Sequence, residues 1–302
     1  MAYRLKHGES VPEGVKRIAR EEIRAAVQYL RGKGGISRDE AIHEARKSIK
    51  KVRALLRLVR PELGEFYESE SARLRDAGRK LSQIRDLGAL ITTFDELKKQ
   101  RGKTLGKVSL TAIRRALVLH KKHVEAEMGV RELMHGLAVP LGLTLQSVRR
   151  WPLKTDGFAA LEPGLKKTFR AGKKAFGQLK QNGSREKFHE WRKRVKDHWY
   201  HVRLLENLWS EVMKGYEQTL KELEDALGED LNLAILRDHI LSASGPQGEG
   251  RAVDQVVKAI DESRKELRER ALAIGRRVYA EKTRQFIRQM RQLWDAWRES
   301  PI

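Results

Sequence analysis

Residues 43–57 read HEARKSIKKVRALLR, a run in which every ionisable group is a cation or a histidine except Glu44. On a helix at 100° per residue, His43, Arg46, Lys50, Arg53 and Arg57 fall within about 80° of one another, with Lys47 just outside. Ile42, Ala45, Ile49, Val52, Leu56 and Val59 form an apolar seam beside them. At 1.5 Å per residue the ladder is about 21 Å long. Guanidinium forks and mobile ammonium groups suit repeated anionic oxygens, above all phosphates. A histidine in the row titrates near neutrality, and a bound polyanion favours its charged form. Like charges three and four apart cost a helix about 0.2–0.5 kcal/mol per pair. An anion would relieve that repulsion. Lys51 points further round, toward solvent.

The ladder recurs. At an offset of 146, His43, Glu44, Arg46, Lys47, Lys50 and Arg57 meet His189, Glu190, Arg192, Lys193, Lys196 and Arg203. The same offset lays LSQIRDLGAL (81–90) over LGEDLNLAIL (227–236), so register holds over more than 40 residues. Upstream, 13–28 matches 163–178 with four more residues of offset, pairing Gly14 with Gly164. Arg17, Arg20, Arg24 and Arg31 repeat the 0, 3, 7, 14 spacing of the first ladder, with counterparts Lys167, Arg170, Lys174 and Gln181. Four helices thus carry one basic edge each. A solvated face is the usual fate of a charge run, but matched spacing on four helices argues for a shared ligand.

The elements that must position these edges are helices. Apolar residues recur at helical spacing and never alternate over a strand length. The pattern predicts helices over 13–31, 38–60, 63–81, 86–100 and 108–135, then 158–181, 185–208, 211–227, 230–242 and 252–298, the last broken once. Joints fall at RGKGG (31–35), Pro61, RGKTLGK (101–107), QNGS (181–184) and SGPQGEG (244–250). Asp86 and Asn232 read as N-caps. The stretch 140–157, with its prolines and glycines, reads as the seam between an N-terminal bundle (1–150) and a C-terminal one (151–302). Short loops favour antiparallel packing. The fold expected is all-α: two similar four-helix bundles related by an internal pseudo-two-fold.

Composition agrees with a polyanion partner. The chain of 302 residues carries a net charge of +22 and has no cysteine, which removes disulfides and thiolate chemistry. No apolar run is long enough for a signal peptide or a membrane span, so a cytoplasmic protein is expected.

Two copies of H-x-x-R-K-x-x-K at this spacing, each followed by an apolar leucine-rich helix and an L-x-x-x-x-D/N-L segment, resemble the CHAD domain, the conserved histidine α-helical domain. The resemblance covers about residue 10 to the C-terminus. It implies two four-helix bundles that bind inorganic polyphosphate in a basic central groove or pore, without catalysis of their own. No cofactor or metal is expected, and recruitment to polyphosphate granules is compatible with such a binder. It places the family's histidines on His43 and His189. Its basic ladder falls on Arg46, Lys50, Arg53 and Arg57, and on Arg192, Lys193, Lys196 and Arg203. No strand-rich triphosphate-processing partner domain with an ExExK start is present, so a stand-alone member is expected. Asp197, His198 and Trp199 depart from the pattern, and the first half is expected to supply more of the binding charge.

Other readings weigh less. Phosphoanhydride hydrolysis needs carboxylates holding Mg²⁺ or an activated nucleophile, and the stripes hold neither. Glu44 and Glu190 fit structural ion pairs better than catalysis. His120 and His123, and His198 and His201, are spaced as helical pairs but lack further metal ligands. His198 falls on the apolar seam and reads as a core residue. RNA is the rival ligand, bound by the same charge. Readers of single-stranded RNA interleave aromatics with basic residues, and the first-half ladders have none. Trp199 and Tyr200 lie near the apolar seam and are expected in the core. Nucleic acid is then a weaker electrostatic competitor.

Overall fold

The computed structural model describes residues 3–105, 110–179, 183–243 and 250–300, and every regular element among them is helical. The joints at 106–107, 181–182 and 244–249, and the predicted edge residue Gln181, lie outside the described residues. Helix α1 (Val11–Leu30) starts where Ser10 and Glu13 form a capping box and Pro12 fixes the first turn. It buries Val15, Ile18, Ala19, Ile23, Ala26 and Leu30 at helical spacing. Ser37 caps α2 (Arg38–Leu58) by accepting from the Glu40 amide. A single turn, α3 (Arg60–Leu63), and Gly64 at φ 52° lead into α4 (Glu65–Leu105).

Helix α4 corrects the sequence reading. The segments 63–81 and 86–100 form one helix, as do 211–227 and 230–242 in α9 (Ser210–Ala243). Asp86 and Asn232 therefore sit in mid-helix and cap nothing. They mark a boundary between two cores instead. The larger core includes Leu81, Ile84 and Leu227, and the smaller begins at Leu90 and Leu233. The smaller core is built from the distal ends of α4 and α9 with α5 (Thr111–Glu127) and α10 (Gly250–Val278). Beside it, Asp230 accepts from Arg264 and Arg268 at 3.0 Å each. A polar layer looks like a helix start in sequence because both interrupt an apolar run.

Gly129, at φ 53°, splits the predicted 108–135 helix into α5 and α6 (Val130–Ser147). Helix α6 runs through Pro140, so the break expected at 140 comes at 148–157, a 3₁₀ turn followed by irregular chain with Trp151 buried. Helices α7 (Phe158–Leu179), α8 (Arg185–Leu204), α9, α10 and α11 (Thr283–Glu299) follow. The predicted last helix is thus broken once, at 279–282.

In the first half α1 packs on α2 and α6, and α4 packs on α2 and α6. In the second, α8 packs between α7 and α9, α10 lies on α9 and α11 on α7. Helix α2 touches both α7 and α8, and the larger core draws on both halves. At Gly164 of α7 an added Cβ would run into the Leu58 carbonyl of α2, so this close approach requires glycine. An N-terminal segment straps the halves. The Leu5 amide donates to the Leu204 carbonyl at 3.0 Å, Arg4 pairs with Glu206 at 2.7 Å, and the Tyr3 hydroxyl donates to the Lys51 carbonyl at 3.0 Å.

Candidate polyanion site

Helices α2 and α8 meet along their basic ladders. The apolar faces of both point into the larger core, so the charged edges beside those faces are carried to the line where the helices touch. Lys50 is crowded by Arg46 on its own helix and by Arg192 and Lys196 of α8, with the Glu224 carboxylate of α9 opposing them. Burial first, then these cations, push its ammonium well below the usual lysine range. Arg46 is 8% exposed and donates to the Gly78 carbonyl at 3.4 Å and to the Ser82 hydroxyl. Burial, with Arg85 and Arg192 adding to it against Asp86, lowers its guanidinium to about 10.

Further along the seam, Arg57 pairs with Asp197 at 2.5 Å, and Arg53 is lowered by burial and by Arg57, with Asp197 opposing. Among the described residues, the buried Nε groups of Arg53, Arg57 and Arg192 have no acceptor. An unmatched buried donor costs about 1–3 kcal/mol, and three of them lie along this one seam. On the α8 side Arg192 and Lys196 both donate to Glu224 Oε1, at 2.9 and 2.7 Å. Arg203 lies over the Trp199 ring at 5.9 Å.

His43 and His189 flank this seam at the start of each ladder. Both are lowered by burial first, then by neighbouring cations: Arg85, Lys47 and Lys50 for His43, and Lys193, Arg192 and Arg185 for His189. Lys47 pairs with Glu44 at 2.5 Å and Lys193 with Glu190 at 3.4 Å, so both repeated glutamates hold structural ion pairs.

The α1 and α7 edges are placed differently. Arg17 is committed to Glu9 at 2.6 Å, to Glu21 and to the Arg4 carbonyl, which makes it a clamp on the N-terminal strap. Arg20 is half-buried and Arg24 exposed, on the side of α1 away from its buried face. Lys167, Arg170 and Lys174 are exposed on α7. Among the described residues, no hydrogen bond or ion pair joins these edges to the α2–α8 seam.

Lys51 corrects the wheel. It is 9% exposed, its ammonium pairs with the buried Glu22 of α1 at 2.6 Å, and it lies 5.6 Å from the Tyr3 ring centre. The wheel gave its direction but not the helix standing there. His198 and His201 are fully buried: His198 meets the Tyr216 hydroxyl at 3.3 Å and His201 the Ala54 carbonyl at 2.9 Å. Burial pushes them down to about 3 and about 4. Trp199 and Tyr200 are core residues, 7% and 2% exposed, and Trp199 donates to Glu217 at 2.6 Å.

Groups on α4 and α9 escaped the sequence reading. Arg75 and Arg85 act on Arg53, His43 and Arg46, while Lys221 and Glu224 act on Lys196. The signal was present: the 146 offset pairs Arg75 with Lys221 and Gly78 with Glu224, only a few residues before the matched 81–90 segment. A cleft of about 380 Å³ lies elsewhere, bounded by Phe188, Arg264 and Arg268. Asp261 and Glu269 also line it and its two arginines are held by Asp230, so its charge is mixed.

The all-helical fold and the doubled basic ladder define a class of helical domain with a cation-rich seam between its two halves. The model of the CHAD domain matches residues 17–241, and the chain belongs to the CHAD domain family. A crystal structure of the CHAD domain from the plant Ricinus communis superimposes with a TM-score of 0.63 at 17% identity, covering 93% of this chain and 96% of that one. No curated protein matches the sequence. Among the described residues, no helix is long and apolar enough to cross a membrane.

Proposed function

We propose that this protein binds inorganic polyphosphate along the α2–α8 seam and does not act on it chemically. The observation that carries the reading is the set of buried, acceptorless Nε groups of Arg53, Arg57 and Arg192 on a seam that already holds Lys50, Arg46 and Lys196. A chain of phosphates supplies acceptors at short regular intervals and charge that relieves the repulsion around Lys50. Membership of a family linked to polyphosphate supports the same ligand. In this reading the two halves form the walls of the site, related by a pseudo-two-fold that sets Lys50 against Lys196 and Arg46 against Arg192. Recruitment to polyphosphate-rich bodies in the cytoplasm would follow from the binding itself.

RNA would meet the same charge, but Trp199 and Tyr200 are buried and offer its bases no stacking face. The test is titration with polyphosphates of graded length at several salt concentrations, for the wild type and the R46A/K50A/R57A triple variant. Affinity is expected to rise with chain length until the seam is filled, and to fall steeply with salt. The triple variant is expected to lose about 100-fold, three charge-assisted contacts at about 1 kcal/mol or more each. Binding retained within a few-fold would make the ladder a solvated face. Equal competition by RNA and polyphosphate at matched phosphate concentration would sink the dedicated site. Orthophosphate release above the buffer rate in Mg²⁺ would refute the non-catalytic reading.

A further inference from the structure

The repeat places different groups behind its two central arginines. At the offset of 146, Arg46 matches Arg192, Ser82 matches Gly228, and Gly78 matches Glu224. In the first half Arg46 is held by neutral groups, the Gly78 carbonyl and the Ser82 hydroxyl, with Asp86 only at 4.0 Å. In the second half a full carboxylate stands in their place. Glu224 is 5% exposed, and one of its oxygens takes hydrogen bonds from both Arg192 and Lys196. Gly228 makes room for this arrangement, since the Arg192 guanidinium lies 3.2 Å from where its Cβ would be. An oxygen bridging a guanidinium and an ammonium is what a phosphate oxygen would do there. Burial alone would raise Glu224, yet Lys196, Arg192 and Lys50 hold it at about 2, so it is charged at every physiological pH. Asp197 repeats the device on a smaller scale: it stands at the position of Lys51 and occupies Arg57.

We propose that Glu224 is a built-in competing anion, seated where a phosphate of the ligand would engage Arg192 and Lys196. The inference rests on the polyphosphate reading above. The ligand then seats first on the α2 wall, at Lys50 and Arg53, and gains the α8 wall only against a resident negative charge. Such a residue lowers affinity and favours release, and it gives the two halves unequal roles.

Long-chain polyphosphate is titrated against the wild type, E224Q and G78E at several salt concentrations, with thermal denaturation of each protein alongside. Glutamine keeps an acceptor for Arg192 and removes the charge. It is expected to tighten binding about tenfold near 50 mM salt and to steepen the salt dependence by about one released ion. G78E is the mirror experiment. A Cβ at Gly78 meets only the Ile49 Cγ2 at 3.5 Å, an ordinary contact, and a carboxylate there would occupy Arg46. Binding is expected to weaken about tenfold. A folded E224Q that binds with equal or lower affinity overturns the inference and makes Glu224 a positioning residue. If E224Q does not fold, G78E decides alone, and unchanged binding by G78E overturns it. Absence of binding by the wild type sinks the polyphosphate reading and this inference with it.

Discussion

On the polyphosphate reading, Lys50 separates a group kept for binding from one kept for folding. Its neighbours are Arg46, Arg192 and Lys196 on one side of the ledger and Glu224 on the other. Two like unit charges roughly 8 Å apart repel by about 2 kcal/mol at an effective dielectric of about 20. Three like charges and one opposite leave two uncompensated, about 4 kcal/mol before side-chain rearrangement and salt reduce it. Replacing Lys50 by methionine keeps the volume and removes the charge. K50M is expected to stabilise the ligand-free protein by about 1–2 kcal/mol, which for a chain of this size raises the melting temperature by about 2–4 °C. The same change should weaken polyphosphate binding about tenfold or more. The sign with pH follows from the depressed ammonium. Protonated Lys50 costs stability on the acid side of its folded pKa, and that cost disappears as pH rises toward the ordinary lysine value near about 10.4. The K50M advantage should be widest at low pH and close upward. Denaturant unfolding at graded pH, with and without polyphosphate, measures both effects. A K50M protein less stable than wild type, or one that binds equally well, would refute the electrostatic reasoning.

Binding should take up protons, because His43 and His189 are held below the usual histidine range in the free protein and phosphates favour their charged forms. Affinity is expected to rise about three- to tenfold from pH 7.5 to 6, and the H43N/H189N variant should flatten the profile; calorimetry in buffers of different ionisation enthalpy reads the proton count directly. Lys51 behaves oppositely to Lys50: K51A strands the buried Glu22 and should cost about 3 kcal/mol in denaturant unfolding while leaving polyphosphate affinity within about twofold. A double E22L/K51M replacement should recover most of that loss, and failure to do so would mean that the pair does more than satisfy itself.

What the residues determined alone was periodic and local. Helical spacing gave the all-α class and the limits of α1, α2, α7 and α8 to within a few residues, because an apolar stripe, and for α1, α2 and α8 a capping serine, are written in neighbouring positions. The 146 offset exposed the doubled unit, and the seam position of His198 marked it as a core residue. Trp199 and Tyr200 were legible for the same reason.

Only the tertiary structure decided which cations meet. Every ladder looked alike on a wheel, yet α2 and α8 are brought together while Arg17 clamps the N-terminal strap and Lys167, Arg170 and Lys174 stay exposed. Lys51 went into the protein because α1 offers Glu22 at that spot, and Asp86 and Asn232 stayed inside long helices because two cores abut there. Glu224 acquired its place beside Arg192 and Lys196 from the packing of α9 on α8. A helix wheel fixes the direction of a side chain but carries no information about the neighbour it meets, and the energy of a charge depends almost wholly on that neighbour.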